Sequence, residues 1–151
     1  ESYDKVPEMS AAGIKDKVIT ALKNQRDFIL VNFANGDMVG HTGVMKVTIK
    51  ACEQVDKCVG EIVRSVLAKN GSCVITADHG NAEQLLDVKT GEIETEHSTN
   101  PVPCIIIKNG LMASELPSGI LADVAPTLLY IMGIPAPSDM SGRNLLEGVK
   151  I

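Results

Sequence analysis

The chain has no tryptophan, two phenylalanines and two tyrosines. A core built from these residues must be aliphatic, and little is left for stacking on nucleic-acid bases. No run of Lys or Arg breaks up a formal charge of −5, which argues against binding along an extended polyanion. No apolar stretch approaches the ~20 residues that span a membrane, and no signal-peptide pattern is present. The four cysteines form no C-x-x-C pair. They read as reduced thiols of a cytosolic protein, with Cys73 and Cys104, set in apolar runs, as small buried hydrophobes. The first residue is Glu1 rather than Met, and a piece of a longer protein is expected.

Apolar residues make up 44% of the 151 residues, enough for one globular domain with a real core. Ser10 is placed to cap a helix running to about Lys23, with Ile14, Val18 and Leu22 on one stripe. Phe28 to Ala34 reads as a strand buried on both faces. Val44 to Lys69 is helical, with Val55, Val59, Ile62 and Val66 on one face and Glu53–Lys57 and Glu61–Arg64 as exposed pairs. Asn70-Gly71 ends that helix, and Ser72 to Ala77 is a second buried strand. The unit from 28 to 77 should be a right-handed crossover between parallel strands.

Residues 83–88 fit a helical turn or a strand equally well, and Lys89 to Glu92 reads as a turn. A third strand is expected over Val102–Lys108, with its prolines at the start, and Asn109-Gly110 turns the chain. Asp123 should cap a last helix with Pro126 in its first turn, Ala125, Leu128, Leu129 and Met132 facing the core, and Gly133 ending it. The Pro-rich stretch 134–142 is irregular.

Histidine is also scarce, and all three copies fall in short polar motifs: Asp37-Met-Val-Gly-His41-Thr-Gly43, Thr76-Ala-Asp78-His79-Gly80-Asn81 and Glu96-His97-Ser-Thr-Asn-Pro101. Imidazole and carboxylate are the usual ligands of Zn, Mn, Fe and Co. Two carboxylate–histidine pairs and a third histidine are nearly enough for two ions. Asp37/His41 and Asp78/His79 each follow an expected parallel strand, so both pairs should emerge on one rim of the sheet. His97 precedes its strand. It joins them if strand 102–108 runs antiparallel, which is the expectation, or if the 88–100 excursion folds back.

Each motif also has a plainer reading. Asp37–His41 fits an exposed loop, Asp78-His79-Gly80 a strand-end turn and His97 an ordinary loop histidine. Gly40, Gly43 and Gly80 permit close backbone approach or simple turns. Asn81 and Asn100 would orient ligands or satisfy loop backbone.

The segments Asn32 to Gly43, Ile75 to Glu83 and His97 to Pro103, together with Tyr3-Asp4, Pro7 to Ser10 and Ala125 to Leu128, closely resemble the C-terminal part of the cofactor-independent phosphoglycerate mutase family, within the alkaline phosphatase superfamily. The resemblance runs from about residue 3 to residue 147. It implies an incomplete three-layer α/β/α domain with a mostly parallel sheet and one antiparallel strand. It also implies a cytoplasmic, monomeric intact enzyme that interconverts 3-phosphoglycerate and 2-phosphoglycerate in glycolysis through a phosphoserine. Asp37, His41 and His97 would hold one divalent ion and Asp78 and His79 another. Mn2+ is the usual species, with Mg2+, Co2+ or Zn2+ also accepted.

By the same resemblance the nucleophilic serine, a further aspartate ligand, a basic residue just upstream of Glu1 and the substrate-clamping transferase domain are absent, so no catalytic residue is assigned here. The polypeptide alone is expected to be inactive and, with an incomplete sheet, prone to self-association. Gly36 stands where many members of the family carry proline. A phosphopentomutase-like enzyme, a phosphodiesterase or a non-catalytic interaction module are the alternatives. The Asn-Pro-Val-Pro run after His97 favours the mutase family.

Overall fold

The computed structural model describes residue 3, residues 5–112 and residues 115–149. Asp4 of the Tyr3-Asp4 pair lies outside the described residues. The chain forms two compact units, one of Glu1–Lys69 with His79–Val102, the other of Asn70–Asp78 with Pro103–Ile151.

In the first unit, α1 (Ala11–Lys23) begins directly after Ser10 as expected, although the Ser10 hydroxyl makes no capping bond. Helix α2 spans Asn35–Gly40 and α3 spans Met45–Leu67. Both α1 and α2 pack on α3. Ala11, Val18, Val39, Ala51, Cys58, Ile62 and Val66 are buried, and each fully buried valine or isoleucine contributes about 1.5–3 kcal/mol. On α3 the buried face thus centres on Ala51, Cys58, Ile62 and Val66, with Val55 and Val59 half-buried. Glu61 pairs not with Arg64 but with Lys15 of α1, at 2.9 Å, because the packing of α1 on α3 brings the ammonium closer. This pairing lowers the Glu61 pKa and raises that of Lys15.

Residues 28–34, expected as a strand buried on both faces, enter no ladder among the described residues. Their exposure alternates: Phe28 is 52% and Leu30 85% exposed, while Ile29 and Val31 are half-buried. The period of two is that of a strand. What is missing among the described residues is a hydrogen-bonded neighbour for this segment. The expected loop from Asp37 to His41 is instead helix α2, with His41 as its C-terminal cap.

The second unit holds the sheet. Strand β1 (Ser72–Thr76) pairs antiparallel with β2 (Cys104–Lys108), from Ser72 opposite Lys108 to Thr76 opposite Cys104. The antiparallel direction is the one expected for the last strand. The architecture is therefore α/β, with a two-stranded sheet among the described residues. Cys73 and Cys104 are half-buried rather than buried, since a two-stranded sheet leaves its faces partly open, and Cys58 on α3 is the buried thiol. All four cysteines are free.

A 3-10 turn (Leu121–Asp123) leads into α4 (Val124–Ile131). The Asp123 carboxylate does not cap α4. It accepts the backbone N–H of Ile120 at 2.9 Å and of Arg143 at 2.8 Å, and these bonds, Arg143 first, lower its pKa. The covered face of α4 is Pro126 and Thr127 rather than Ala125 and Met132, which are exposed. The Thr127 hydroxyl sets that face: it donates to the Asp123 carbonyl at 2.7 Å and accepts the Leu145 N–H at 2.9 Å. Gly133, at φ +70°, ends the helix. No helix of the described residues is long and apolar enough to cross a membrane.

Candidate metal centre

Asp37 and His41 are four residues apart, so the helical repeat of α2 sets them on one face. The helix is held at its start by Asn35, whose buried carboxamide donates to the carbonyls of Pro7 at 2.8 Å and Glu8 at 2.9 Å. Val39 is fully buried on its inner side. Asp37 and His41 thereby face outward, with His41 Nε2 at 3.2 Å from Asp37 Oδ1.

The segment carrying His97 folds back onto the same place. Gly80 and Ser98 form an isolated antiparallel bridge, in which the Ser98 N–H donates to the Gly80 carbonyl at 2.9 Å. Residues 83–88, open in the sequence, supply half of a second bridge, Leu86 with Ile93, and the chain turns between them at Gly91 (φ +73°). The fold-back puts His97 Nε2 at 3.1 Å from Asp37 Oδ1 and 3.2 Å from His41 Nε2. The His79 ring stacks on His97 with centroids 3.7 Å apart. Ligand atoms of Asp37, His79 and His97 lie within 4.8 Å of one another.

Four of the five expected ligand residues are thus gathered within the first unit: Asp37, His41, His79 and His97. Asp78 is one peptide bond from His79 but belongs with β1 in the other unit.

Three donor atoms at mutual separations of 3.1–3.2 Å fit one ion. Around a cation with bonds of about 2.1 Å, adjacent ligands sit about 3.0 Å apart in octahedral and about 3.4 Å apart in tetrahedral geometry. The tautomer fits as well. His41 Nδ1 lies 2.6 Å from the Thr95 carbonyl, which can only accept, so Nδ1 carries the proton and neutral His41 presents a lone pair at Nε2. A backbone carbonyl holding the far nitrogen in this way is the usual support of a metal-ligating histidine. The Asp37, His41 and His97 side chains are 32%, 39% and 48% exposed, so an ion would keep open positions toward solvent.

Asn81, 4% exposed, donates from Nδ2 to Asp37 Oδ1 at 3.0 Å and so holds that carboxylate in place. Its Oδ1 is buried without a hydrogen-bond partner among the described residues, facing Gly40, where a Cβ would collide with the carboxamide. Asn100 does not reach the cluster; it donates to Glu83 Oε1 at 3.0 Å and Gln84 Oε1 at 2.9 Å.

Two residues were missed in the sequence. Thr95 acts through a backbone carbonyl, which leaves no side-chain signal. Glu83 closes the run Asp78 to Glu83, and its carboxylate accepts from Asn81, Ser98 and Asn100. The Ser98 hydroxyl first, then the Asn100 amide and the Asn81 backbone N–H, hold its pKa down to about 2 against partial burial.

Residues 1–136 match the Metalloenzyme superfamily. The chain is 52% identical over 149 residues to the 2,3-bisphosphoglycerate-independent phosphoglycerate mutase of Clostridium tetani, covering 97% of this chain and 29% of that protein. It is 51% identical over 146 residues to a protein of the same name from Methanosarcina barkeri, covering 96% and 28%. The crystal structure of Leishmania mexicana phosphoglycerate mutase at low cobalt concentration superposes with a TM-score of 0.84 at 35% identity, covering 95% of this chain and 29% of that one. The chain therefore spans under a third of the length of these relatives.

Proposed function

The chain belongs to the Metalloenzyme superfamily, and on that premise we propose that it is the metal-binding part of a phosphoglycerate mutase. The intact enzyme would interconvert 3-phosphoglycerate and 2-phosphoglycerate. The observation that carries the reading is the convergence of Asp37 Oδ1, His41 Nε2 and His97 Nε2 at 3.1–3.2 Å. The names of the C. tetani and L. mexicana proteins supply the reaction.

In this reading Asp37, His41 and His97 hold one divalent ion and Asp78 with His79 holds another. Mn2+ is the expected species, and the same donors accept Co2+, Mg2+ or Zn2+. When bound, such ions neutralise phosphate charge and lower the pKa of a coordinated oxygen. The chain's own residues prepare the place. Thr95 fixes the His41 tautomer, Asn81 orients Asp37, and the exposed side of the cluster admits a phosphate monoester. The serine that carries the phosphate between the two hydroxyls is supplied by a segment this chain does not contain. In this reading the intact protein has the three-layer α/β/α domain with a mostly parallel sheet.

Calorimetric titration of the purified chain with Mn2+, alongside an enolase-coupled assay on 3-phosphoglycerate, tests this. The expected result is Mn2+ binding that is at least ~100-fold weaker in His41→Ala, the upper end of what losing even an outer partner costs, and no turnover. Absence of Mn2+ binding, or equal binding by His41→Ala, overturns the metal assignment. Turnover by the chain alone overturns the assignment of the serine to another segment.

A further inference from the structure

The first and third histidine motifs come from stretches far apart in sequence, yet in the reading above their donor atoms share an ion and must agree to within a few tenths of an ångström. Backbone pairing between the second and third motifs is a single bridge, Gly80 with Ser98. Side chains add to that bridge: Glu83 accepts from Ser98 and Asn100, and Gln84 accepts from Asn100 as well.

Glu83 Oε2 accepts the backbone N–H of Asn81 at 2.7 Å. Its Oε1 accepts the Ser98 hydroxyl and, at 3.0 Å, the Asn100 amide. Asn81 in turn donates to Asp37 Oδ1. The bonds run Asp37, Asn81, Glu83, Ser98, and Ser98 is joined by one peptide bond to His97. Gly80 makes the arrangement fit, since a Cβ there would run into both the Ser98 hydroxyl and the Glu83 carboxylate.

We propose that Glu83 is a positioning residue of the metal centre: its carboxylate clasps the His79–Asn81 segment to the His97–Asn100 segment and so holds His97 at bonding distance from the ion shared with Asp37 and His41. The inference rests on the metal reading above and deepens it. A carboxylate suits the task chemically. It is an acceptor only, with room for about four hydrogen bonds on two oxygens, and the three groups facing it donate. Charge-assisted bonds of this kind are shorter and about twice as strong as neutral ones. Its depressed pKa, about 2, keeps it ionised wherever imidazole is a competent ligand. A glutamine in its place turns an NH2 toward a donor on one side and loses one attachment.

Co2+ titration of the purified chain, followed by calorimetry and by the visible absorption of the bound ion, reads the positioning directly. Far-UV circular dichroism reports the helices. Glu83→Gln and Ser98→Ala are each expected to weaken Co2+ binding about tenfold or more, the range for outer partners of metal ligands. Both should alter the visible band while the helical signal stays unchanged. Ser98→Thr, which keeps the hydroxyl, should restore affinity to within about twofold of the parent. Parent-like affinity and spectrum in Ser98→Ala and Glu83→Gln, together with lost binding in His41→Ala, overturn the clasp and leave the metal reading standing. A parent chain that takes up no Co2+, or a His41→Ala variant that binds like the parent, overturns both. Loss of affinity in Ser98→Thr equal to that in Ser98→Ala also overturns the clasp, because the effect would then be steric.

Discussion

His41 and His97 face each other through their Nε2 atoms at 3.2 Å, and one loop sets both partners. The Thr95 carbonyl accepts a hydrogen bond from the Nδ1–H of His41. Two residues later the same loop delivers His97. The segment that brings the third histidine to the site therefore also selects the tautomer of the first. Two imidazole nitrogens and a carboxylate oxygen within 3.2 Å need a proton or a metal cation among them, and a divalent ion would satisfy all three at once.

Two glycines should respond to alanine in opposite directions. At Gly40 a Cβ would meet the buried carboxamide of Asn81, and Asn81 is tied to Asp37. Gly40→Ala should cost about 1–3 kcal/mol, as overpacking usually does. At Gly13, inside α1, nothing lies within 4 Å of a Cβ, so Gly13→Ala should stabilise by about 0.5–1 kcal/mol. Urea unfolding of the two variants beside the parent checks the signs. Equal effects would contradict the packing described at Asn81.

The Glu83 carboxyl gives stability a pH dependence of known sign. Its folded pKa, about 2, lies below the ordinary 4.5. Its contribution is therefore fully present above about pH 4.5 and is lost as pH falls toward 2. In thermal melts of the metal-free chain, the gap between parent and Glu83→Gln should narrow across that window and stay constant from pH 5 to 7. A gap that does not change with pH would show that the charge plays no part.

Thr127 carries a polar joint inside the second unit. The residue is 1% exposed, and its hydroxyl serves Asp123 and Leu145 at once. Thr127→Val keeps the shape but leaves the buried Leu145 N–H unpaired, a loss of about 1–3 kcal/mol. Thr127→Ser should lose less, since the hydroxyl remains. Denaturant melts of the two variants separate hydrogen bonding from packing.

The helices α1 and α3 and the glycine stops were legible because each depends on local periodicity or local backbone sterics, while the antiparallel direction of β2 follows from His97 preceding its strand. Residues 28–34 were not legible, because a strand exists only by pairing and the run Phe28 to Ala34 says nothing of whether a partner is at hand. The burial face of α4 was misread for a related reason. Hydrophobicity points to Ala125 and Met132 as well as to the half-buried Leu128 and Leu129, whereas a hydroxyl bonded to a residue eighteen positions away places Thr127 inward. At the candidate metal centre, the four-residue spacing of Asp37 and His41 is the helical signal in the sequence, although the glycines around it also suit a loop. For His97 the sequence leaves strand direction and fold-back open, and in the structure both occur. Thr95 could not have been found, since any residue supplies the same carbonyl.

Crystals of the chain grown with Mn2+ and measured at the manganese absorption edge test most directly whether Asp37, His41 and His97 share one cation. The expected result is an anomalous peak about 2.0–2.2 Å from Asp37 Oδ1, His41 Nε2 and His97 Nε2. A protein with the same fold and no peak among those three atoms, at millimolar Mn2+, would contradict it.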